Sequence, residues 1–407
     1  MMTATARFGE ETLDKQGQEG QEEGSWTILK LMRWCQKFFA TKGLDQPRLD
    51  TEVLLGHTLG MSRVQLYTHF DRPLSDEELG RFKATIKRRV AREPVAYIVG
   101  HKEFWSLEFK VDGRVLIPRP DTELLVQMAR EQARRLVDDP SARPPQDELP
   151  EDLEAQRRRE MTAMPSVAEA TEGEGAEEPE DLEAQRRREM TAMPESFEDA
   201  EDADSAAEEP EEATGWAQLG PSEGELPDWE PSRPVRVLDV GTGSGAIAVA
   251  LALELPYARV TATDISAGAL EVARGNAARL AGEAGIVFRE GDLMEAVRDE
   301  PAFDVIVSNP PYIAEADLEQ LMPDVGLHEP RLALAGGDDG LGVLRRLAED
   351  AWGRLRPGGV LLCEIGFDQE QSAPEVFEAS GHGWTGVKVT RDPLTQHPRV
   401  VEAHRPS

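Results

Sequence analysis

The chain has 407 residues, 39% of them hydrophobic, which is length and apolar content enough for two or three domains with a sizeable core. Its formal net charge of −33 argues against a protein that grips nucleic acid by neutralising phosphates. That charge is unevenly spread, because Asp138 to Pro234 holds 31 acidic residues against eight arginines and no lysine.

Only two cysteines occur, Cys35 and Cys363, with no CxxC pair, which fits a reducing compartment and argues against disulfide or zinc architecture. The seven histidines form no HExxH and no paired ligand spacing, so no metal is expected. The first 25 residues are polar and acidic, and no stretch approaches the roughly 18 apolar residues of a membrane span. The expectation is a cytoplasmic protein with no membrane partner.

In chain order, residues 1–24, rich in Glu, Gln and Gly, read as a disordered tail. Ile28, Leu31, Met32, Cys35, Phe38 and Phe39 then recur at helical spacing, with Ser25 as N-cap and Gly43 past the end. A second helix is predicted from Pro47 and a third near Ser62. Ser75 and Glu78 form a capping box for a fourth, ahead of Leu79, Phe82, Ile86 and Val90. Residues 25–93 thus read as a small helical domain whose Met and aromatic stripes are core.

Residues 94–120 read as a β-hairpin linker, with short strands at Ala96–Val99, Phe104–Val111 and Val115–Ile117 around Gly100 and Gly113. Arg119-Pro120-Asp121-Thr122-Glu123 opens an amphipathic helix running to about Val137, and Arg119 and Glu123 cap or solvate its start. Residues 138–234 form an acidic insertion. In it the sixteen-residue PEDLEAQRRREMTAMP stands at Pro150–Pro165 and again, unchanged, at Pro179–Pro194. Identity without drift points to tandem duplication, and two copies are too few to bury a repeat core, so disorder is expected.

After Pro234 strands and helices alternate. Val235–Val240 leads into Gly241-Thr242-Gly243-Ser244-Gly245 and the apolar helix Ala246–Leu255; Arg259–Thr263 ends at Asp264, and a helix from about Ala267 to Leu280 follows. Ile286–Arg289 leads to Gly291-Asp292, and Phe303–Ser308 leads to Asn309-Pro310-Pro311-Tyr312. Gly340–Leu355 reads as a helix stopped by Pro357-Gly358-Gly359, Val360–Ile365 as a fifth strand, and Trp384–Thr390 and Arg399–Ala403 as strands that close the sheet. The order implies an α/β, Rossmann-like fold with a mostly parallel sheet of seven strands.

Chemistry concentrates at two strand ends. A glycine loop between strand and helix lets backbone approach a ligand, and an acid ending the next strand can accept ribose hydroxyls. The loop reads GTGSGA, where a dinucleotide site would carry its third glycine one place later; on the loop alone NAD(P) stays open beside S-adenosylmethionine. Asp239, Asp264 and Asp292 offer acceptors at strand ends, although Asp292 also suits a turn cap. At Asn309–Tyr312 two prolines stiffen a turn that carries an amide, a free carbonyl and a phenol ring, a cradle for a planar NH₂ group or a rigid turn without chemistry.

Taken together these segments resemble the PrmC/HemK family of class I S-adenosylmethionine-dependent methyltransferases. The likeness rests on Pro94–Gly100 (PVAYIVG), Glu103–Val111 (EFWSLEFKV), Val115–Val126 (VLIPRPDTELLV), Leu238–Ala250, SNPPYI at 308–313, Glu329-Pro330, GGDDGL at 336–341 and EIG at 364–366. Asp121 stands where the family usually has Glu, and Leu293 follows Asp292 where some relatives place an aromatic. The resemblance implies a methyltransferase domain over 121–407, interrupted by the insertion, with the helical domain docking the substrate. It implies methylation of the side-chain amide nitrogen of the glutamine in the GGQ motif of class I peptide chain release factors. S-adenosyl-L-methionine would be held by Asp239, Gly241, Thr242, Gly243, Ser244, Gly245, Asp264, Asp292, Leu293 and Asn309. Asn309 and the Pro310 carbonyl would accept the substrate N–H groups, with Pro311 and Tyr312 completing the substrate site. A monomer without direct nucleic-acid binding is expected. Rival readings are a ribosomal-protein glutamine methyltransferase, an adenine methyltransferase on nucleic acid, an NAD(P) oxidoreductase and a non-catalytic scaffold.

Overall fold

A computed structural model describes residues 25–138 and 234–407, apart from Glu283. The expected N-terminal tail and the duplicated segment lie outside the described residues. Those residues divide into two compact units, the first ending at Thr85 and the second beginning at Ile86.

The first unit holds α1 (Ile28–Thr41), α2 (Pro47–Leu59), α3 (Arg63–Thr68) and the start of α4 (Asp76–Val90). Thr27, not Ser25, caps α1: an isolated bridge to Pro73 holds it extended, and its hydroxyl accepts the Lys30 N–H at 3.3 Å. Pro47 occupies the first turn of α2, where its missing N–H costs nothing. The Ser75–Glu78 capping box forms as the sequence predicts, with Glu78 N donating to Ser75 Oγ and Ser75 N to Glu78 Oε2. Ile28, Leu31, Cys35, Phe39, Leu54, Leu55, Leu66 and Phe82 are wholly buried. Burial pushes the Glu52 carboxyl up, but hydrogen bonds from Tyr67, Arg48 and Arg63 outweigh this and hold it below the usual range.

The second unit corrects the reading of residues 94–117. Ala96–Val99, read as a strand, lies in the short helix α5 (Val95–Val99), bounded by Pro94 and by Gly100 at φ +83°. Five residues between a helix-starting proline and a left-handed glycine make one turn, and here the end signals outweigh strand propensity. The hairpin is β1 (His101–Phe104) with β2 (Leu107–Lys110), and it turns at Trp105-Ser106 rather than at a glycine. Both turn residues have positive φ, 55° and 57°. Trp105 is anchored there by burial, by its N–H to Glu123 and by its indole N–H to Glu254, contacts that offset a strain of order 1–3 kcal/mol per residue. Val115 and Ile117 are buried but form no strand.

After a 3₁₀ turn at Pro120–Thr122 comes α6 (Glu123–Asp138). The sheet follows: β3 (Val235–Val240), α7 (Ala246–Glu254), β4 (Ala258–Asp264), α8 (Ala267–Leu280), β5 (Val287–Glu290), β6 (Phe303–Ser308), the single-turn α9 (Pro323–Gly326), α10 (Gly342–Arg354), β7 (Leu355–Glu364), α11 (Ser372–Ala379), β8 (Thr385–Arg391) and β9 (Pro398–His404). The strand order is β5-β4-β3-β6-β7-β9-β8, with β9 antiparallel to both its neighbours and the other pairs parallel. Pro357-Gly358-Gly359 lies inside β7 rather than ahead of it. Phe303 already pairs with Leu355, and a register shift before Val305 absorbs the interruption. Alternate residues feed two cores, Val237, Val305 and Leu362 with α6 and α7 on one face, Leu238, Ile306 and Leu361 with α10 and α11 on the other.

Candidate active site

Strand register gathers the motifs at one edge. Val240 lies opposite Thr263 on one side and Ser308 on the other, Asp264 opposite Glu290, and Ser308 opposite Cys363. The residues that follow the first three strands' pairs, Gly241, Gly291 and Asn309, therefore leave the sheet together, beside Glu364, the last residue of β7 and still paired with Val400 of β9. The chain reverses direction across the sheet between β3 and β6, the switch point where open α/β sheets bind ligands. Ser308 Oγ donates to the Val240 carbonyl at 2.8 Å and ties the two loops.

Gly241, Gly243 and Gly245 all have positive φ. At Gly245 a Cβ would also stand 3.1 Å from that of Ala273, so glycine lets α8 close onto the start of α7; beside Gly241 and Gly243 nothing lies within 4 Å, leaving room over the loop backbone. Asp264 Oδ2 accepts the Gly243 N–H at 2.8 Å and Oδ1 the Ser266 N–H at 2.9 Å, which leaves further lone pairs on each oxygen. Asp239 is wholly buried and accepts the Thr242 hydroxyl at 2.6 Å, so it holds the loop from within. Burial pushes its carboxyl up to about 7 against that hydrogen bond. Ser244 is buried, and its carbonyl accepts from Asn276. Asp292 is ion-paired with Arg346 at 2.7 Å, while Leu293, at φ +48°, packs its side chain against the core that contains Leu238 and Val240.

Beyond β6 the Asn309 side chain meets a residue far away in sequence: its Nδ2 donates to Thr122 Oγ1 at 3.1 Å, and that hydroxyl donates to Glu364 Oε2 at 2.7 Å. The neighbouring residues of the same turn reach other elements. Arg119 pairs with buried Glu329 at 2.5 Å, and Asp121 with Arg399 of β9 at 2.7 Å. Arg119 to Thr122 is therefore a brace under the Asn309–Tyr312 turn, not merely a helix start. Gln369 secures that turn from the other side, its Nε2 donating to the Tyr312 and Gly340 carbonyls at 3.1 and 3.2 Å. Burial pushes the Tyr312 phenol up, so it stays neutral.

Comparison with known proteins agrees with this geometry. The PrmC N-terminal domain family matches residues 30–100, and the methyltransferase small domain family matches residues 227–325. The release factor glutamine methyltransferase of Geobacter sulfurreducens is 35% identical over 356 residues, covering 88% of this chain and 90% of that protein. That of Koribacter versatilis is 33% identical over 381 residues, covering 94% of this chain and 99% of that protein. The Chlorobaculum tepidum protein of the same name is 34% identical over 374 residues, covering 91% and 95%. The chain belongs to the release factor glutamine methyltransferase family.

As a member of that family the chain is a methyltransferase, and the glycine loop and the Asn309 turn stand side by side as the motifs imply. Two polar residues beneath the turn stand in quoted motifs, Thr122 in VLIPRPDTELLV and Glu364 in EIG, but the sequence does not pair them with Asn309. Thr122 sits mid-way through a helix-opening run, and Glu364 ends an apolar strand; only the fold brings them to Asn309. Burial pushes the Glu364 carboxyl up to about 7, opposed by the Thr122 hydrogen bond and by Arg399. Among the described residues no helix is long and apolar enough to cross a membrane.

Proposed function

We propose that this chain transfers a methyl group from S-adenosyl-L-methionine to the side-chain amide nitrogen, N5, of the glutamine in the GGQ motif of class I peptide chain release factors. Family membership supports the reaction and the substrate class. One observation supports the site most: Asn309 commits its Nδ2 to Thr122, which leaves Oδ1 as the end of the amide able to accept from a substrate.

When bound, the cofactor supplies an electrophilic methyl on a sulfonium. Gly241 to Gly245 offers open backbone for it and Asp264 offers spare lone pairs, while Asp239 contributes by holding Thr242. Asp292 and Leu293 lie along the same strand edge, and Asn309 borders both ligands. A carboxamide nitrogen is a poor nucleophile because its lone pair is delocalised into the carbonyl. Asn309 Oδ1 and the Pro310 carbonyl accept its two N–H hydrogens and aim it, so that positioning and electrostatics do the work. The Tyr312 ring covers the amide plane and favours the charge that develops on nitrogen, and Pro311 keeps the turn rigid. No general base is required, since the nitrogen becomes strongly acidic once methylated and loses its proton to solvent.

Incubation with methyl-labelled S-adenosylmethionine and separate substrates tests this: a release factor, the same factor with the GGQ glutamine replaced, a ribosomal protein and DNA. Label is expected on the intact release factor alone. Label that survives the glutamine replacement, or goes to another substrate instead, overturns the proposal.

A further inference from the structure

We infer that Thr122 and Glu364 are positioning residues that decide which end of the Asn309 amide faces the substrate. The inference rests on the proposed role of Asn309 as acceptor of the substrate amide. The two ends of a carboxamide have nearly the same shape and opposite hydrogen-bonding character. An Asn309 that presented its NH₂ group would set donor against donor and leave the glutamine nitrogen unaimed. Something must distinguish the two rotamers, and the prolines beside Asn309 supply no side-chain group able to do so.

A hydroxyl alone cannot choose, because it both donates and accepts. Glu364 removes the choice. As a carboxylate it only accepts, so the single proton of the Thr122 hydroxyl goes to Glu364 Oε2 at 2.7 Å and the hydroxyl turns a lone pair to Asn309. Asn309 must answer with Nδ2–H, at 3.1 Å, and Oδ1 is left pointing away. Thr122 and Glu364 are 4% and 1% exposed, so water has little access to substitute for either. The charged and titratable groups that act on Glu364 are Asp121 and Arg119 from the turn carrying Thr122, Arg399 from β9, and Tyr312. Arg399, paired to Asp121 at 2.7 Å, supports the ionised form that the relay requires. The direction of two hydrogen bonds is thus set by one buried acid at the end of β7.

The test compares wild type with Thr122→Val, Thr122→Ser and Glu364→Gln at about pH 8 on release factor, measuring kcat, KM for both substrates, cofactor affinity and the thermal unfolding midpoint. Thr122→Val keeps the shape and loses the hydroxyl; kcat is expected to fall about 10- to 100-fold with both KM values within about threefold of wild type. Thr122→Ser restores most of the loss. Glu364→Gln, which can offer Thr122 either an oxygen or an NH₂ group, lowers kcat by a smaller factor of roughly 3 to 10. The inference is overturned if Thr122→Val turns over within about threefold of wild type. It is equally overturned if Thr122→Ser loses as much as Thr122→Val, or if the loss follows cofactor release or unfolding. Should Thr122→Val not fold, a Glu364→Gln enzyme with wild-type kcat overturns it. A wild-type protein that labels no release-factor glutamine defeats the proposed function and this inference with it, whereas an active wild type beside an equally active Thr122→Val defeats the inference alone.

Discussion

Gly340 lies against the backbone carbonyl of Tyr312, too close for any Cβ to stand between them, and Gln369 binds the carbonyls of both residues. Gly336 is as confined: a Cβ there would stand 2.9 Å from the Pro311 carbonyl oxygen. The GGDDG run at 336–340 is thus a glycine lid laid on the back of the Asn309–Tyr312 turn, with Gly340 also in the left-handed region at φ +73°. Gly340→Ala must move the turn or strain the backbone, at a cost of about 1–3 kcal/mol. A lower denaturant midpoint together with a kcat loss larger than any change in cofactor affinity is expected. An alanine variant with wild-type midpoint and kcat would show that the turn does not depend on this contact.

Asn309→Ala removes the acceptor and leaves the glycine loop untouched. Methyl transfer is expected to fall by about 10²- to 10³-fold or more, the scale of losing one preorganised polar group. Cofactor affinity, read by equilibrium dialysis, should change only a few-fold. A variant that turns over normally, or one that fails only because cofactor no longer binds, would place the acceptor elsewhere.

Two buried carboxyls make stability and rate respond oppositely to pH. Asp239 and Glu364 are each pushed up to about 7 by burial, whereas in an unfolded chain they titrate near 4. The folded state therefore retains protons that the unfolded chain has released. The stability these groups bring is full below about pH 4 and is lost as pH rises through about 7. Glu364→Gln stays neutral throughout, so its denaturant midpoint should fall less than that of wild type between about pH 5.5 and 8.5. Equal falls would mean that Glu364 is not shifted. For kcat the sign reverses, since the relay needs an ionised Glu364: the wild-type rate should rise through about pH 7, and Thr122→Val should lose that limb.

Every residue assigned to the loop, the cradle or the brace lies at 119–123 or beyond 235. Deleting residues 141–231, duplicated segment included, is accordingly expected to leave kcat on release factor within about threefold of the full chain. A loss well beyond that would give the acidic segment a part in substrate capture.

Much of this was legible because it is local. The loop at 241–245, the acid at 264 and the turn at 309–312 each announce themselves by residue type within a few positions of a strand end, and parallel pairing then places them together. The strand read at Ala96–Val99 failed because Pro94 and Gly100 close a helix turn around apolar residues that equally suit a sheet. Trp105-Ser106 gave no turn signal, as non-glycine residues hold positive φ there through contacts made elsewhere in the fold. The relay itself could not be read: its three residues stand in separate motifs, but Thr122 lies 187 residues from Asn309 and 242 from Glu364, and residue type alone does not say that they meet.

The most direct measurement is mass spectrometry of the GGQ-containing peptide of a release factor after incubation with S-adenosylmethionine and either wild-type protein or Asn309→Ala. Wild type should leave the peptide one methylene heavier, with fragment ions placing the added group on the glutamine side chain, and Asn309→Ala should leave it unmodified. A methyl group on any other residue, or the same modification from Asn309→Ala, would contradict the assignment of this turn as the cradle for a glutamine amide.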